Sequence, residues 1–389
     1  MSIFDQSEYS HRIATVKRKM ATAGIDVLLV INPENIYYLT GYSGWSFYTP
    51  QFAVIALDDD EPLLILRDMD TACADYTVFM GPDRVVGYPE LYIGSTERHP
   101  TTYIADQLAQ RAWSDKRLGV ELGAHFFSAL IYEKLRSCLP NATFVDAYLL
   151  VDWVRTYKSE AEIGIMQQAG KIAESAMRRA IDVIRPGVRE CDAAAEIFHA
   201  QVSGTTDYGG STPASISMPS GAKAASPHLR WSDERYPATT CINIELGGAR
   251  HEYHAGLSRT IHLGRPPAQL VSLSAVVIEG LQTALDAART GVSCEAVEAA
   301  WRQVISRAGY EKKSRIGYSI GLCFQPTWID LTASLQAGDK TILEPNMVFH
   351  MICGMWKGEH NFVISETFRV TDSAPELLSQ LDQDLVVRD

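Results

Sequence analysis

Glu245 is the residue whose type and setting point most directly to chemistry in this chain of 389 residues. It interrupts the apolar run from Ile242 to Leu246, and such a run predicts a buried strand. A carboxylate buried in a strand is costly unless it is paired or used in function. Two interpretations follow. Glu245 is either a catalytic carboxylate or half of a structural ion pair with Arg259 on the neighbouring strand.

His228 is the second candidate, and it lies in a stretch rich in Gly, Ser and Pro that begins at Gly209. Histidine transfers protons near neutral pH, and functional groups favour loops that a scaffold holds in place. An isolated loop histidine is also commonly a plain polar surface residue. The residues alone leave both interpretations open.

Several side chains suit zinc, manganese or iron by type, namely His251, His254, His350, His360, Glu245, Glu359 and Glu366. Their spacing gives no HExxH motif, and His251 and His254 would point to opposite faces of a strand. The sequence also lacks GxGxxG and phosphate-loop motifs. No metal and no other cofactor is therefore predicted.

Aromatic residues gather at Trp45 and Phe47 and again at Trp356, with Tyr318 between them in the chain. Rings of this kind can enclose a small cation against their faces. The same rings are typical of core or dimer packing. Both interpretations stand at this point.

Composition excludes several classes of partner. The net charge is −12, from 47 acidic and 35 basic residues without a local basic cluster, so nucleic acid and anionic membranes would be repelled. The seven cysteines are scattered and form no CxxC pair, which is typical of a reduced protein. The N-terminal residues lack the features of a signal peptide, and no apolar run approaches the roughly 18 residues of a membrane span. We expect a cytoplasmic protein with no nucleic-acid or membrane partner.

A length of 389 residues suits two domains, which we place at residues 1–155 and 156–389. The first resembles an α/β domain, with helices predicted at 9–23 and 101–112 and strands at 25–31, 52–57, 63–66, 118–121 and 143–145. In the second, Ser159 and Glu162 form a capping box that predicts the start of a long helix. The helices of this domain are predicted at 163–184 and 190–203 and as a pair within 270–308. Its strands are predicted at 240–245, 259–263, 316–324, 347–351 and 362–370. The helices therefore come mostly first and the strands crowd toward the end. That arrangement favours an α+β fold.

Three segments carry a resemblance that spans nearly the whole chain: NPENIYYLTGYSG, RTYKSEAEIGIMQQAGKI and LEPNMVF. Through them the chain resembles the pita-bread family of creatinase, prolidase, aminopeptidase P and methionine aminopeptidase. The resemblance implies a smaller N-terminal α/β creatinase-like domain and a C-terminal pita-bread catalytic domain. It also implies a homodimer in which each N-terminal domain caps the partner's cleft.

The peptidases of this family bind two metal ions through two Asp, one His and two Glu. The matching positions here are Glu245, Gly256, Tyr318, Ile352 and Ser365. One carboxylate among five positions does not hold such a centre. The chain therefore resembles the metal-free, creatinase-like branch of the family.

Within that branch, longer segments are similar in order and spacing to ectoine hydrolases: GYSGWSFY, DYGGSTPASISMPSGAKAASPHLRW, IELGGARHEYHAGLSRT and NMVFHMICGMW. The chain departs from the pattern at Ala255 and Gly256, at Ile352 and Cys353, and at residues 359–361. The resemblance implies a small-molecule substrate like ectoine, a zwitterion that joins a cyclic amidinium ring to a carboxylate.

The resemblance also implies roles for the candidates. Glu245 would hold the amidinium and either activate water or attack the ring carbon, and His228 would relay a proton to the departing nitrogen. Arg259 would balance Glu245 or bind the substrate carboxylate. Trp45 and Phe47 would close the cleft from the partner subunit. The remaining substrate-binding candidates are Tyr253, His254, Tyr318, Glu366 and Trp356.

Three alternatives remain. The first is a creatinase-like enzyme for another small guanidino or amidine cation, with urea released from creatine. The second is a metal-dependent dipeptidase, which needs about two metal ions per chain. The third is a non-catalytic pita-bread module that binds a ligand without turnover, and it requires Glu245 and His228 to lie apart or blocked in the fold.

Overall fold

The computed structural model describes residues 2–212, 216–357 and 360–389, with the side chain of Lys357 left out. Glu359, considered above as a metal-ligand type, lies outside the described residues, as do Pro213 to Ser215 of the loop that precedes His228. The chain divides into two compact units, Met1–Arg155 and Thr156–Asp389.

The N-terminal unit is built from six short strands and helices between them. The strands are β1 (Val27–Val30), β2 (Phe52–Ala56), β3 (Leu63–Arg67), β4 (Val85–Tyr88), β5 (Arg117–Val120) and β6 (Thr143–Asp146). The helices are α1 (Gln6–Ala23), α2 (Pro33–Thr40), α3 (Thr71–Thr77), α4 (Pro100–Gln110), α5 (Ala129–Cys138) and α6 (Leu150–Arg155). The strands form one sheet in the order β4-β3-β2-β1-β5-β6.

The central strand β1 is buried along its whole length, since it is covered on both faces. It pairs antiparallel with β2 and parallel with β5. Leu29, Val54, Ile65 and Leu118 pack in the same core on one side of the sheet. Strands that mix with helices around one sheet confirm the α/β prediction for this unit.

The C-terminal unit begins with two helices, α7 (Glu160–Val183) and α8 (Glu190–Ser203), followed later by α9 (Ala268–Ala287) and α10 (Cys294–Arg307). The predicted capping box opens α7. The Ser159 hydroxyl accepts from the Glu162 amide at 3.2 Å, and the Glu162 carboxylate accepts from the Ser159 amide at 2.9 Å. The buried face of α7 packs against the first two strands of this unit.

The strands of the C-terminal unit form one sheet, which has eight strands within the described residues. They are β7 (Thr240–Arg250), β8 (Tyr253–Leu263), β9 (Gly317–Ile320), β10 (Ile329–Leu335), β11 (Val348–Lys357), β12 (His360–Arg369), β13 (Glu376–Leu377) and β14 (Val386–Arg388). The main order is β10-β9-β11-β12-β8-β14, with β7 paired to β8 and β13 to β12. Helices packed on a largely antiparallel sheet confirm the α+β prediction.

Strands β7 and β8 form a hairpin longer than the predicted pair, in continuous register from Thr240 opposite Leu263 to Arg250 opposite Tyr253. His251 and Glu252 make the turn with φ of 47° and 63°, the left-handed values of a two-residue hairpin loop. The expectation that His251 and His254 alternate along one strand is therefore wrong. His251 belongs to the turn and His254 to β8.

Helix α9 is, among the described residues, long and apolar enough by length and composition to cross a membrane. The expectation that no apolar run approaches that length needs this correction. Core helices pass the same test. Here Leu273, Val277 and Leu281 are buried, and α9 packs against α10, β11 and β12.

Candidate active site

A cavity of about 270 Å³ in the C-terminal unit brings together the two leading candidates, Glu245 and His228. Its described lining residues are Ile216, Ser217, His228, Arg230, Glu245, Tyr318, Pro326, Thr327, Trp328 and Ile329. Pockets for drug-sized ligands run from about 300 to 1,000 Å³, so this one suits a small molecule. It lies against the face of the sheet on which Glu245 projects.

Glu245 lies in the middle of β7, opposite Ser258 of β8. Its side chain is 17% exposed, and its Oε1 lies 4.0 Å from Nδ1 of His350. Burial raises the pKa of Glu245 from its ordinary 4.5 to about 7. The strand thus presents a carboxyl group that ionises near neutral pH to a cavity that a small cation can enter.

His228 is held beside β7 through the backbone of the loop before it. The amide and carbonyl of Ser217 pair with the carbonyl and amide of Glu245, each at 2.9 Å. The Ser217 hydroxyl then donates to the carbonyls of Pro227 and Leu229, at 2.8 and 3.1 Å, on either side of His228. Ser217 therefore ties the histidine's position to the strand that carries Glu245.

Two buried polar residues anchor the rest of this loop. Asn243 Nδ2 donates to the carbonyl of Ala224 at 3.0 Å. The Glu190 carboxylate accepts from the backbone amide of Ser232 at 2.6 Å and from the hydroxyl of Ser220. These bonds satisfy groups that would otherwise be costly to bury, and they fix the loop at both ends.

Arg230 also lines the cavity, although it was not among the site residues predicted from the sequence. Its side chain is exposed. It lies two residues after His228 in the same loop, where no periodicity could have signalled it. One cavity therefore carries an acidic group on the sheet and a guanidinium on the loop.

Tyr318 of β9 lines the cavity as well. Its hydroxyl accepts a hydrogen bond from Trp328 Nε1 at 2.9 Å and lies 3.2 Å from Nδ1 of His350. Burial, together with the nearby charge of Glu245, raises its pKa above the usual range, so the phenol stays protonated. Tyr318 can donate one hydrogen bond in the region of Glu245.

His350 was considered only as a metal-ligand type, yet it contacts much of the site. Its ring is fully buried, with Nε2 2.7 Å from the Ser365 hydroxyl. A Cβ on Gly256 would lie 2.8 Å from Cε1 of the ring, so only glycine leaves room for it. The opposite glycine, Gly247, likewise leaves room for the Trp328 ring. Two glycines that face each other in a hairpin are a sequence signal that other groups, here two rings, pack close to the strands at that point.

The residues around His350 do not fit the dinuclear metal centre of the peptidases. The positions matched to metal ligands at 256, 318 and 365 hold a glycine, a tyrosine and a serine, and all three contact the imidazole instead. Both ring nitrogens are already within hydrogen-bond distance of hydroxyl groups. Among the described residues, no group of three or more His, Cys, Asp or Glu side chains is arranged to hold a metal ion.

Arg259 does not pair with Glu245, contrary to one of the two interpretations above. It lies opposite Ile244, so it projects from the other face of the hairpin. There its guanidinium bonds Glu366 at 2.6 Å, with both side chains fully buried, and donates to the carbonyls of Leu381 and Asp382. Arg259 and Glu366 hold the C-terminal segment against the sheet, and neither lines the cavity.

Tyr253 and His254 lie at the hairpin end of β8, outside the cavity lining. Tyr253 points toward α7, where its hydroxyl donates to Glu162 at 2.7 Å. His254 is fully buried on the face of Glu245, and burial lowers its pKa to about 4. Its Nδ1 lies 3.0 Å from the carbonyl of Glu252, and its Nε2 has no hydrogen-bond partner within the described part of the chain.

The aromatic candidates lie elsewhere. The Trp356 ring packs against Lys312, whose Nζ lies 4.6 Å from the ring centroid, and it is absent from the cavity lining. Trp45 belongs to the N-terminal unit, is 75% exposed and contacts Phe47 edge to face. Phe47 packs in turn on Phe126 with centroids 5.2 Å apart. The role of Trp45 and Phe47 at a partner's cleft stays a prediction.

Comparison with known proteins agrees with this architecture. The model of metallopeptidase family M24 matches residues 164–372, and that of the creatinase/prolidase N-terminal domain matches residues 12–157. The uncharacterized hydrolase/peptidase y4tM of Sinorhizobium fredii is 45% identical over 387 residues, 99% of both chains. An ectoine hydrolase of Halomonas elongata is 37% identical over 393 residues, 99% of this chain and 98% of that protein. The crystal structure of dipeptidase PepE from Mycobacterium ulcerans shares the fold, with a TM-score of 0.83, 23% identity and 99% coverage of each chain.

The chain belongs to metallopeptidase family M24, with a creatinase-like N-terminal domain and a C-terminal pita-bread domain. It is a hydrolase of the M24 and creatinase family. The predicted fold class is thereby confirmed.

Proposed function

We propose that this hydrolase opens the cyclic amidine ring of ectoine to an N-acetyl-2,4-diaminobutyrate without a metal ion. The observation that carries the proposal is the opposition of charge in one small cavity, with Glu245 on the sheet and Arg230 on the loop. Ectoine carries the complementary charges, an amidinium and a carboxylate. Charge-assisted hydrogen bonds at both ends would orient it. The full-length similarity to an ectoine hydrolase supports the same substrate.

The amidinium explains how the reaction proceeds without a Lewis acid. Its ring carbon lies between two nitrogens that share a positive charge, so it is already electrophilic. Glu245 holds this cation and, as a base with a raised pKa, either activates water or attacks the carbon itself. The absence of fitting metal donors among the described residues around Glu245 supports this route.

His228 passes a proton to the departing nitrogen. Water adds to the ring carbon and gives one proton to Glu245, one carbon–nitrogen bond breaks, and the departing nitrogen takes a proton from His228 to leave as an amine. Glu245 then releases its proton and His228 takes one up, so the reaction consumes water and no net proton. An imidazole on a loop tied to the Glu245 strand is suited to this transfer. The Tyr318 hydroxyl lines the same cavity and can orient the tetrahedral intermediate through a hydrogen bond.

The test is to incubate the full-length protein with ectoine and identify the product by proton NMR. We expect an open-chain N-acetyl product, with the Glu245→Gln variant inactive. Creatine is the matched rival substrate, because it also joins a planar cation to a carboxylate. Release of urea from creatine without conversion of ectoine would make creatine the proposed substrate instead of ectoine.

A non-catalytic binding module is the rival of a different class. It requires Glu245 and His228 to lie apart, whereas both line one cavity. Ectoine bound without turnover by the wild-type protein would nevertheless favour it. The homodimer and the cytoplasmic location stay predictions, with the oligomeric state measurable by light scattering.

A further inference from the structure

The neighbouring strands β9 and β10 carry one wall of the cavity. This cavity wall consists of Tyr318 in β9 and of residues 326–329, which lead into β10. Trp328 donates from Nε1 to the Tyr318 hydroxyl at 2.9 Å. A Cβ on Gly247 of β7 would lie 2.7 Å from the Trp328 ring, so the wall rests on the strand that also carries Glu245. Whatever fixes residues 326–329 therefore sets the shape of the cavity.

The backbone ladder between β9 and β10 is interrupted directly after this wall. Ile329 pairs with Ile320, whereas the next paired residue of β10, Ser334, lies opposite Tyr318. Residues 330–333 are left opposite Ser319 alone. Within the described residues β10 is also an edge strand, with β9 as its one neighbour. Extra residues of this kind leave a strand locally unpaired, so other bonds must hold the stretch.

A buried ion pair supplies such a bond. Lys158 Nζ lies 3.0 Å from Asp330 Oδ2, and each of the two side chains is 1% exposed. The Ser319 hydroxyl donates to the same carboxylate oxygen at 3.1 Å. Ser319 and Asp330 each follow a residue that lines the cavity, so their side chains lie on the far side of the wall. The three groups join β9 to β10 across the interrupted stretch.

The segment that carries Lys158 is bound in place as well. The Thr156 hydroxyl donates to the Thr332 hydroxyl, within the same stretch of β10, at 2.9 Å. The amide of Lys158 donates to the carbonyl of Asn346 at 3.1 Å. A Cβ on Gly321 would lie 2.9 Å from Cε of Lys158, so a larger residue there would push the lysine stem aside. The ammonium is thus held at one position behind the wall.

We propose that Lys158 is a positioning residue for the reaction at Glu245. Through Asp330 it holds residues 326–329 in place, so that the cavity wall meets the substrate at a fixed distance from the carboxylate. The inference rests on the proposed function for its consequence in catalysis. Its structural part, the fixing of the wall by the ion pair, does not depend on the substrate.

Positioning can be separated from stability because the partners can be removed together. Two buried charges lose their hydration, so replacing both by apolar side chains of similar volume is often neutral for stability or even stabilising. An apolar cluster lacks the directional bonds that hold β10 against β9 at this point. Removing the lysine alone would instead leave a buried carboxylate without the ammonium, which is strongly destabilising.

The test variant combines Lys158→Met, Asp330→Val and Ser319→Ala, and we call it the apolar variant. Its thermal midpoint should stay within about 3 °C of the wild type, whereas Lys158→Met alone should lower the midpoint by about 10 °C. Lys340→Met is the matched control, since it breaks an exposed ion pair with Glu295 in the same unit.

The first readout is hydrogen exchange measured by mass spectrometry, which needs no substrate. Peptides covering residues 325–333 should exchange roughly tenfold faster in the apolar variant, because this stretch has lost bonds that substitute for the ladder. Peptides from α9 should keep the wild-type rate in the same variant. Lys340→Met should leave both regions unchanged.

The second readout is steady-state kinetics with ectoine, well below the thermal midpoint. Because the cavity wall contacts the substrate while Glu245 and His228 lie on other elements, KM should rise roughly three- to tenfold and kcat should change less. A purely structural role for Lys158 would leave KM at the wild-type value in the stable apolar variant.

Unchanged exchange of residues 325–333 in the folded apolar variant would overturn the inference. Faster exchange with a wild-type KM would also overturn it, because the ion pair would then have no bearing on the site. Wild-type protein that does not convert ectoine would sink the proposed function, and the exchange measurement would still decide whether Lys158 fixes the wall.

A second variant keeps the test decisive if the apolar variant does not fold. Gly321→Ala retains all three polar groups and displaces the lysine stem from the other side. It should speed exchange of residues 325–333 and raise KM in the same direction, by roughly two- to threefold. Wild-type exchange and wild-type KM in Gly321→Ala would contradict the proposal.

Discussion

Replacing Glu245 with glutamine should remove hydrolysis and also stabilise the protein above neutral pH. The side chain is 17% exposed, and its closest recorded ionisable neighbour is the neutral His350. The change of its pKa from 4.5 to about 7 corresponds to about 3 kcal/mol, since one pKa unit equals about 1.4 kcal/mol. Removing a general base should lower kcat by about two to four orders of magnitude.

The sign of the stability effect follows from which state binds the proton more tightly. Because the folded-state pKa is raised, the folded protein favours the neutral carboxyl. Below about pH 4.5 both states are protonated and the wild type bears no cost. As the pH rises through about 7, the wild type must hold a buried charge, and it loses up to about 3 kcal/mol relative to the glutamine variant.

The assay is urea unfolding at about pH 5 and about pH 8 for the wild type and Glu245→Gln, with Glu311→Gln as an exposed control. We expect the advantage of Glu245→Gln to grow by about 2 kcal/mol between the two pH values. The control should show no such growth. An advantage of the same size at both pH values would refute the assignment of a raised pKa to Glu245.

Three further variants test other parts of the site. Arg230→Gln should raise KM for ectoine about tenfold and leave KM for the carboxylate-free ring analogue unchanged, so equal effects on both compounds would contradict its role. Ser217→Ala removes the hydroxyl that donates to the carbonyls on either side of His228, so kcat should fall roughly three- to tenfold. The thermal midpoint is measured in parallel as a control for folding. A wild-type kcat in this variant would show that His228 does not depend on these bonds. Arg259→Gln leaves Glu366 buried without its partner and should destabilise the protein by about 3 to 5 kcal/mol in urea unfolding. A rise in KM without a loss of stability would instead indicate that Arg259 binds the substrate.

Local patterns in the sequence predicted the framework well. The capping box at Ser159 fixes the start of α7 because both of its bonds lie within four residues. The apolar run around Glu245 predicted β7, because a buried strand needs little beyond its own hydrophobicity. The polar residue in that run, Glu245, lines the cavity, while its catalytic role stays a prediction.

The errors concern which face of a strand a residue occupies. Arg259 was matched to Glu245 by proximity in the hairpin, but the register places Ser258 opposite Glu245. A shift of one residue moves a side chain to the other face. Sequence alone does not set that register until the turn at His251 and Glu252 is known, and the run was predicted to end before it.

His350 and Arg230 were missed for different reasons. His350 lies more than a hundred residues from Glu245 in the chain, and they meet only through the order of strands in the sheet. Arg230 lies in an irregular loop whose path depends on tertiary bonds to Ser217, Asn243 and Glu190. Periodicity carries no information on either kind of contact.

Hydrolysis of ectoine by metal-depleted protein tests the central claim most directly. The full-length protein is dialysed against a chelator, its metal content is measured, and ectoine is followed by proton NMR. We predict steady conversion to an N-acetyl diaminobutyrate at a rate unaffected by chelation, with far fewer metal ions than protein chains. Activity that is lost on chelation and restored by added manganese or zinc would contradict the account.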